Sequence, residues 1–433
     1  MESIWWNNKI QRPRFEELKN DIKTDVLIIG GGITGILCAY MLKSAGVDCV
    51  VAEADRVCSG ITKNTTAKIT YQHGLIYDKM IGRFGVEKAQ LYLEAHSVAL
   101  EQYRNISEKV ECDFEECDSF VYSLAHKDKI EKEVTALNKI GCSATFVDSL
   151  QLPFAVAGAV KVKNQAQFNP LKFVFSIAKD LPIYERTKVL EITPDVVKTA
   201  YGKIKAKKII VATHFPFINK HGGYFLKMYQ HRSYAIAFKN APIIKGIYVD
   251  ESKKGLSFRN YGDLLILGGG SHRTGKKGGN WQELLEFAKL NYPTSQEVCR
   301  WATQDCMTLD DIPYIGQYSK ETPDFYVATG FNKWGMTSAM TSAMILTDLV
   351  QGKENKYSSV FSPSRSSMRP QLAINTAEAL IGILTPTVPR CPHLGCALKF
   401  NRQERTWDCS CHGSRFTEDG ELIDNPASGD KKK

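Results

Sequence analysis

Apolar residues recur along this chain in two rhythms, and the changes between them mark out its elements. Residues 25–30 (Asp-Val-Leu-Ile-Ile-Gly) form a short unbroken apolar run closed by glycine, which predicts a strand buried on both faces. Residues 33–45 space their apolar positions as a helix does, and 47–53 read as a second buried strand, completing a βαβ unit. Residues 76–110 read as an amphipathic helix, and 114–146 alternate strands with a charged helix. A helix at 173–179 is followed by strands at 183–192 and 208–213. Between 231 and 270 the pattern shortens to several short strands with turn residues, including 258–267, which predicts a mixed sheet in a second domain. A helix at 281–290, a buried strand at 325–329 and a helix at 337–350 follow. Residues 361–369, rich in Ser, Pro and Arg, predict a linker.

The fold class expected from this order is α/β: a Rossmann-like domain, an inserted mixed-sheet α+β domain and a small β-rich domain at the C-terminal end. A chain of 433 residues exceeds what one hydrophobic core serves. Hydrophobic residues make up 43% and charged residues 24%, the balance of an ordinary globular protein. The longest apolar runs fall far short of the roughly 20 residues a bilayer span needs, so no transmembrane segment is expected. The first residues lack a basic n-region and an apolar h-region, which predicts a cytoplasmic protein. A formal charge of +9 is spread along the chain, and the one dense basic run is 431–433. No aromatics interleave with that run, so it reads as a solvated tip, and no nucleic-acid partner is expected.

Candidate chemistry begins at Gly30-Gly-Gly-Ile-Thr-Gly35, a GxGxxG between the first strand and the first helix. Gly30 makes the tight turn, Gly32 lets the backbone approach a pyrophosphate, and Gly35 permits close helix–strand packing. Ile33 and Thr34 open the helix, whose N-terminus favours phosphate charge. Glu53, at the end of the second strand, is placed to accept hydrogen bonds from a ribose hydroxyl. The motif lies at the extreme N-terminus and is not repeated, which favours FAD over a nicotinamide.

Two further segments resemble the D-amino-acid oxidase, or glycine oxidase, superfamily of FAD enzymes: Lys207-Lys-Ile-Ile-Val-Ala-Thr213, and Asp324 to Thr337 with Gly330, Trp334, Gly335 and Met336. The resemblance covers about residues 22–352. It implies that the 330–337 turn offers backbone N–H groups to the flavin O2 edge, and that strand 207–213 runs beneath the cofactor. It also implies that Val189 contacts the adenine, and that a loop bearing Arg56, Ser59, Gly60, Thr65, Thr66 and Lys68 contacts the pyrophosphate and the flavin. The FAD-binding parts are expected at about 22–75, 160–215 and 300–352, and substrate-domain parts at about 76–159 and 216–299. Cys306 lies near the segment where some relatives attach FAD covalently, but its spacing to Asp310 does not match, so FAD is expected to be non-covalent.

Eight of the twelve cysteines are scattered singly from Cys38 to Cys306, whereas four crowd between Cys391 and Cys411. Cys391-Pro-His393-Leu-Gly-Cys396 and Cys409-Ser-Cys411-His412-Gly-Ser414 form two boxes, each with one Cys and one His at ligand spacing. Two thiolates and two imidazoles suit a [2Fe–2S] centre with mixed ligation, and also a structural zinc, although zinc fingers space their histidines along one helix. The boxes closely resemble the Rieske signature, including Gly395, Gly413 and Ser414. That resemblance implies Cys391, His393, Cys409 and His412 as metal ligands and a Cys396–Cys411 disulfide tying the loops. Ser410 stands where many Rieske proteins have proline, and the strands that usually precede the first box are absent. Residues 385–433 therefore predict a minimal Rieske domain, docked on the flavoprotein for support, after a linker and helix at 353–384. Asn425-Pro426-Ala427 resembles the loop that covers the cluster.

The combination implies an FAD-dependent dehydrogenase that oxidises a small amine or amino-acid-like substrate and passes electrons singly to an external acceptor. Two alternatives stand beside it: a reductase with reversed electron flow, and a redox-sensing or electron-transfer flavoprotein without a dedicated substrate. Candidates for the substrate face are Tyr71, His73, Arg232, His272 and Arg273, the arginines as clamps for a carboxylate.

Overall fold

The computed structural model describes residues 2–6, 10–193, 196–218, 221–252, 254–366, 368–386 and 389–431. Lys432 and Lys433 of the basic tail lie outside the described residues. Strand Ile22–Ile29 pairs in parallel with Cys49–Ala52 on one side and Lys203–Val211 on the other, with Leu27 opposite both Val50 and Ile209. Central strands of a parallel sheet are covered on both faces, which is why their sequences run apolar without alternation. The sheet has eight strands and continues outward through Phe325–Thr329 and Tyr314–Gln317. Helix Ile33–Ser44 packs over it beside helix Gly335–Val350, burying Ile36, Leu37, Leu42, Met340, Ala343 and Leu346 in one core.

The second sheet has nine strands: it runs from Gln296–Thr308 through Met228–Lys239, Leu264–Arg273, Ser257–Tyr261, Ile247–Asp250, Glu115–Ser123 and Gly158–Gln167 to Lys68–Ile69, with Ala144–Val147 off this path. It is mixed, because Ile247–Asp250 pairs in parallel with Glu115–Ser123 while its other pairings are antiparallel. The segment 231–270 is less fragmented than its turn residues suggested, since two long strands dominate it. Strand Gln296–Thr308 was not anticipated. Its first three residues are exposed and its later half buries Gln304, so apolar alternation is absent. Strands Gly158–Gln167 and Gln296–Thr308 both belong to this sheet, so the dinucleotide domain resumes later than 160 and 300. The helix expected over 76–110 breaks at Gly85 into Tyr77–Phe84 and Val86–Ser107, where φ is +86°.

The C-terminal unit is a four-stranded antiparallel sheet, Leu398–Asn401, Thr406–Cys409, Arg415–Thr417 and Leu422–Asp424. Its small core joins Leu398 and Phe416 to the four clustered cysteines and Ala427. Helix Pro370–Leu384 lies against it: a Cβ on Gly382 would stand 2.4 Å from the Cys411 Sγ. The linker is tethered, because the Arg365 guanidinium donates to both Asp310 carboxylate oxygens at 2.8 and 2.9 Å. Among the described residues no helix is long and apolar enough to cross a membrane.

Candidate active site

A cavity of about 830 Å³ opens where the two large sheets and the C-terminal unit meet. Its size falls within the range of small-molecule and cofactor sites. The glycine turn forms one side, and the backbone approach there is closer than any side chain allows. A Cβ on Gly30 would lie 2.7 Å from the Ala212 carbonyl oxygen, and one on Gly35 would lie 1.9 Å from the Gly30 oxygen. Gly32 brings no capping side chain to the N-terminus of helix Ile33–Ser44; the Ile33 N–H donates to the Thr62 hydroxyl at 3.0 Å, and this helix end lines the cavity, where its dipole suits a phosphate. Glu53 accepts from the Gly31 N–H at 2.5 Å and from the Asp55 N–H at 2.8 Å. Burial raises its carboxyl above the usual range against these two backbone donors. The residues fit a dinucleotide: a glycine turn and helix end for the pyrophosphate and an acid fixed at the rim for a ribose.

Of the expected cofactor contacts, Gly30, Gly32, Ile33, Thr34, Glu53, Ser59, Thr65, Thr66, Val189, Trp334, Gly335 and Met336 line this cavity, as do Gly60 and Lys68. Gly35 packs beneath the turn, Arg56 is exposed, and Gly330 (φ +70°) abuts Thr308. Thr337 donates its hydroxyl to the Thr70 carbonyl at 3.0 Å. Cys306 is buried outside the lining. Glu53→Arg removes the acceptor of two backbone hydrogen bonds and puts bulk in its place. It is expected to weaken FAD retention by at least about 3 kcal/mol, roughly a hundredfold. A released-flavin assay on the purified variant checks this, and full occupancy would refute the role of Glu53.

The inner end of the cavity is polar and cationic. Lys68 reaches the Thr66 and Ser257 hydroxyls at 2.9 and 3.3 Å, and Lys333 donates to the Ser271 hydroxyl at 2.9 Å. Burial, with Arg259 and Lys333 nearby, brings the Lys68 ammonium down to about 7. Burial also pushes Asp305 up to about 6, against the pull of Lys333 and the hydroxyl of Ser233. Lys333 and Asp305 were not singled out from the sequence. The available signal was a charged residue inside a buried turn and another on a buried strand.

Only His73 of the five substrate-face candidates lines the cavity. Its Nδ1 lies 2.7 Å from the Tyr92 hydroxyl, and its Nε2 lies 2.8 Å from the Thr70 carbonyl and 3.0 Å from the Thr337 hydroxyl. The ring stacks on Trp334, and burial lowers its pKa to about 3, so it is neutral at physiological pH. Tyr71 is half-buried outside the lining, with its hydroxyl pushed up to about 12 by burial. His272 stacks on Tyr234 and also lies outside the lining. The two arginines are not substrate clamps here, because both are committed to the C-terminal unit. Arg232 pairs with Glu404, and Arg273 donates to the Ser410 and Cys411 carbonyls at 3.1 Å each.

In the C-terminal unit the two boxes converge. Cys391, Cys409 and His412 are buried and His393 is half-buried. The two imidazoles stand at 89° with centroids 4.9 Å apart, and the buried His412 Nδ1 has no hydrogen-bond partner among the described residues. Two buried thiols and an unsatisfied imidazole nitrogen at one spot fit a metal centre, since buried polar atoms otherwise find partners. The Sγ atoms of Cys396, Cys409 and Cys411 lie within 4.8 Å of one another. All twelve cysteines are free thiols, so the implied Cys396–Cys411 disulfide is not formed in this structure, although the two side chains are neighbours.

The ligand loops face the flavoprotein directly. Gln230 Nε2 donates to the His412 and Asn425 carbonyls at 2.8 and 2.9 Å, and Gln304 Nε2 donates to the Gly413 carbonyl at 2.8 Å. Asn425 Nδ2 donates to the Thr213 and Phe215 carbonyls at 3.0 and 2.6 Å. Two glycines permit close approach: a Cβ on Gly275 would meet the Ser410 backbone nitrogen at 2.7 Å, and one on Gly413 would meet the side chain of Gln230, at its Cβ, at 2.6 Å. Nearby, Glu404 accepts from Arg232, from Arg415 at 2.7 Å and from the Tyr234 hydroxyl at 2.8 Å, while Arg415 also pairs with Asp408 and Asp424.

Comparison with known proteins agrees with this geometry. Residues 25–349 match the family model for FAD dependent oxidoreductases, and residues 373–432 match that for the Rieske [2Fe-2S] domain, which therefore takes in most of helix Pro370–Leu384. A Rieske 2Fe-2S iron-sulfur protein of Bacillus subtilis, YhfW, is 35% identical over 98% of this chain and 96% of its own length. The gamma-glutamylputrescine oxidoreductase of Escherichia coli is 24% identical over 79% of this chain and 87% of its own. Among solved structures, L-proline dehydrogenase from P. horikoshii has a TM-score of 0.67 at 18% identity, covering 80% of this chain and 98% of that one. Glycine oxidase from Geobacillus kaustophilus has a TM-score of 0.67 at 20% identity, covering 79% and 99%. The chain belongs to the FAD dependent oxidoreductases and carries a Rieske [2Fe-2S] domain at its C-terminal end.

Proposed function

We propose that this protein is a dehydrogenase for a small carboxylate-bearing amine, with electrons leaving one at a time through the Rieske domain to an external acceptor. Bound FAD supplies two-electron hydride acceptance, and a cluster with two histidine ligands supplies one-electron carriage at about −150 to +300 mV. The observation that carries this reading is a shared wall. Asp424, Asn425, Ala427 and Ser428 line the cavity, while the Ala427 N–H donates to Ser414 in the second ligand box at 3.0 Å. One loop thus separates the two cofactor sites.

The substrate class follows from the inner end of the cavity, where Lys68 and Lys333 face Asp305 and the hydroxyls of Ser257 and Ser271. Two ammonium groups are suited to hold a carboxylate, and Asp305 to orient an amine. His73 is neutral with both nitrogens engaged, so it positions Trp334 and Thr337 instead of moving a proton. Anaerobic mixing with a panel that includes glycine, proline and gamma-glutamylputrescine tests the reading. Bleaching of the flavin by one or more carboxylate-bearing amines is expected. A flavin that dithionite reduces and no amine does would overturn the substrate class.

Lys68 also sets a pH dependence. Its pKa near 7 means that it is cationic below that pH and neutral above it, with Arg259, Lys333 and Asp305 as its charged neighbours. KM for a carboxylate substrate is therefore expected to rise as pH climbs through about 7. Lys68→Met should raise KM about tenfold below pH 7 and flatten the profile, the loss of one charge-assisted hydrogen bond. Initial rates across pH for both proteins measure it.

A further inference from the structure

We infer that residues 422–430 of the Rieske domain are part of the FAD site itself: they close the ADP half of the cavity and retain the dinucleotide. This rests on the placement of FAD at the Gly30–Gly35 turn. Leu422, Asp424, Asn425, Ala427 and Ser428 line the same cavity as Glu53 and the glycine turn, although they come from a different sheet. The glycine turn and the acid mark this end as the one that takes pyrophosphate and ribose.

The segment is held from two sides. Toward the flavoprotein, Asn425 Nδ2 grips the Thr213 and Phe215 carbonyls, which follow the strand whose last carbonyls press on Gly30. Lys188, next to Val189, donates to the Ser428 carbonyl at 2.9 Å. Toward the cluster loops, Gln230 holds the Asn425 carbonyl and Ser414 holds the Ala427 N–H. Of the two carboxylates that this wall brings to the cavity, Asp424 pairs with Arg415 at 3.0 Å, so it does not present an uncompensated charge to a diphosphate. Leu422 and Ile423 add apolar surface, and the other lining carboxylate, Asp430, accepts from the Leu422 N–H at 2.9 Å; with the backbone and small side chains they form a surface that a ribose or an adenine edge can lie against. A dinucleotide bound under such a wall leaves only when the wall opens, so its dissociation rate reports the wall's grip.

The test uses the full chain with its cluster in place. Asn425→Ala removes two hydrogen bonds to the flavoprotein, and FAD release, followed by flavin fluorescence after dilution, is expected to accelerate about tenfold. Lys188→Ala should give a smaller acceleration in the same sense. ADP titrated into flavin-stripped protein should bind correspondingly more weakly to Asn425→Ala. Iron content is measured in parallel; if Asn425→Ala also sheds iron, Ser428→Trp decides, because position 428 is exposed and the new ring projects from the wall without disturbing a core. Ser428→Trp is expected to change FAD release and ADP affinity at least severalfold. Unchanged release and unchanged ADP binding in the deciding variant overturn the inference. A failure of the underlying site assignment is told apart by Glu53→Arg: if that variant keeps its flavin, FAD does not sit at the turn, whereas if it loses flavin and the wall variants do not, only the wall is wrong.

Discussion

His412→Ala is expected to yield a protein that keeps flavin, lacks iron and no longer turns over with a one-electron acceptor. The substitution removes one imidazole from the His393–His412 pair and touches neither the 30–35 turn nor the 330–337 turn. Flavin reduction in a single anaerobic turnover should proceed as in the unmodified protein, because the inner cavity is untouched. Steady-state rate with the one-electron acceptor should fall on the order of a hundredfold or more, as loss of a metal ligand removes the centre outright. The pair of measurements separates entry of electrons from exit. If the steady-state rate survives, the domain is off the electron path and a sensing or structural role takes its place. If single-turnover reduction fails as well, the cluster loops support the substrate end of the cavity in a way the contacts do not suggest.

Glu404→Ala carries the second large effect, this time on stability. Glu404 is 9% exposed and bonded to two arginines that are themselves 4% and 5% exposed. Deleting it leaves Arg232 and Arg415 buried without that partner, and breaking a buried ion pair in this way costs about 3–5 kcal/mol. Arg415 keeps Asp408 and Asp424, so the unsatisfied charge falls chiefly on Arg232, at the junction of the two domains. The expected outcome is a Rieske domain that separates before the flavoprotein unfolds, seen as early proteolysis in 361–369 and a first, lower thermal transition. A single transition at an unchanged temperature would contradict it. The same network predicts acid lability. Burial would raise the Glu404 carboxyl, but Arg232 and Arg415 outweigh it and hold it down to about 2. A carboxylate depressed in the folded state contributes stability that is fully present above its unfolded pKa of about 4.3 and is lost as pH falls toward 2. Domain docking should therefore weaken across that window.

Much of the architecture was legible because it is written in local pattern. The βαβ unit, the glycine turn and Glu53 each follow from spacing that a buried parallel strand and a phosphate-facing helix end impose. The two Cys/His boxes were legible for the same reason, since ligand spacing is a sequence property. What escaped is what depends on distant partners. Strand Gln296–Thr308 hides its pattern because Gln304 is buried against the Rieske loops. Arg232 and Arg273 looked like substrate clamps because a guanidinium suits a carboxylate, and nothing local reveals that Glu404 and the Ser410 carbonyl, over 130 residues away, claim them. Lys333 and Asp305 face each other only after three elements meet, the 330–337 turn and two adjoining strands.

The close contacts at Gly275 and Gly413 also bear on how the two halves work together in time. Neither contact has room for even an added methyl group, and the ion network beside them ties the same junction. The Rieske domain is thus built into the wall and is not a tethered carrier that swings between donor and acceptor. On the proposed electron path, exchange between the two sites is expected at one fixed separation, with a rate indifferent to the viscosity of the medium. In glycerol or sucrose solutions, any slowing of turnover then belongs to encounters with substrate or the external acceptor alone.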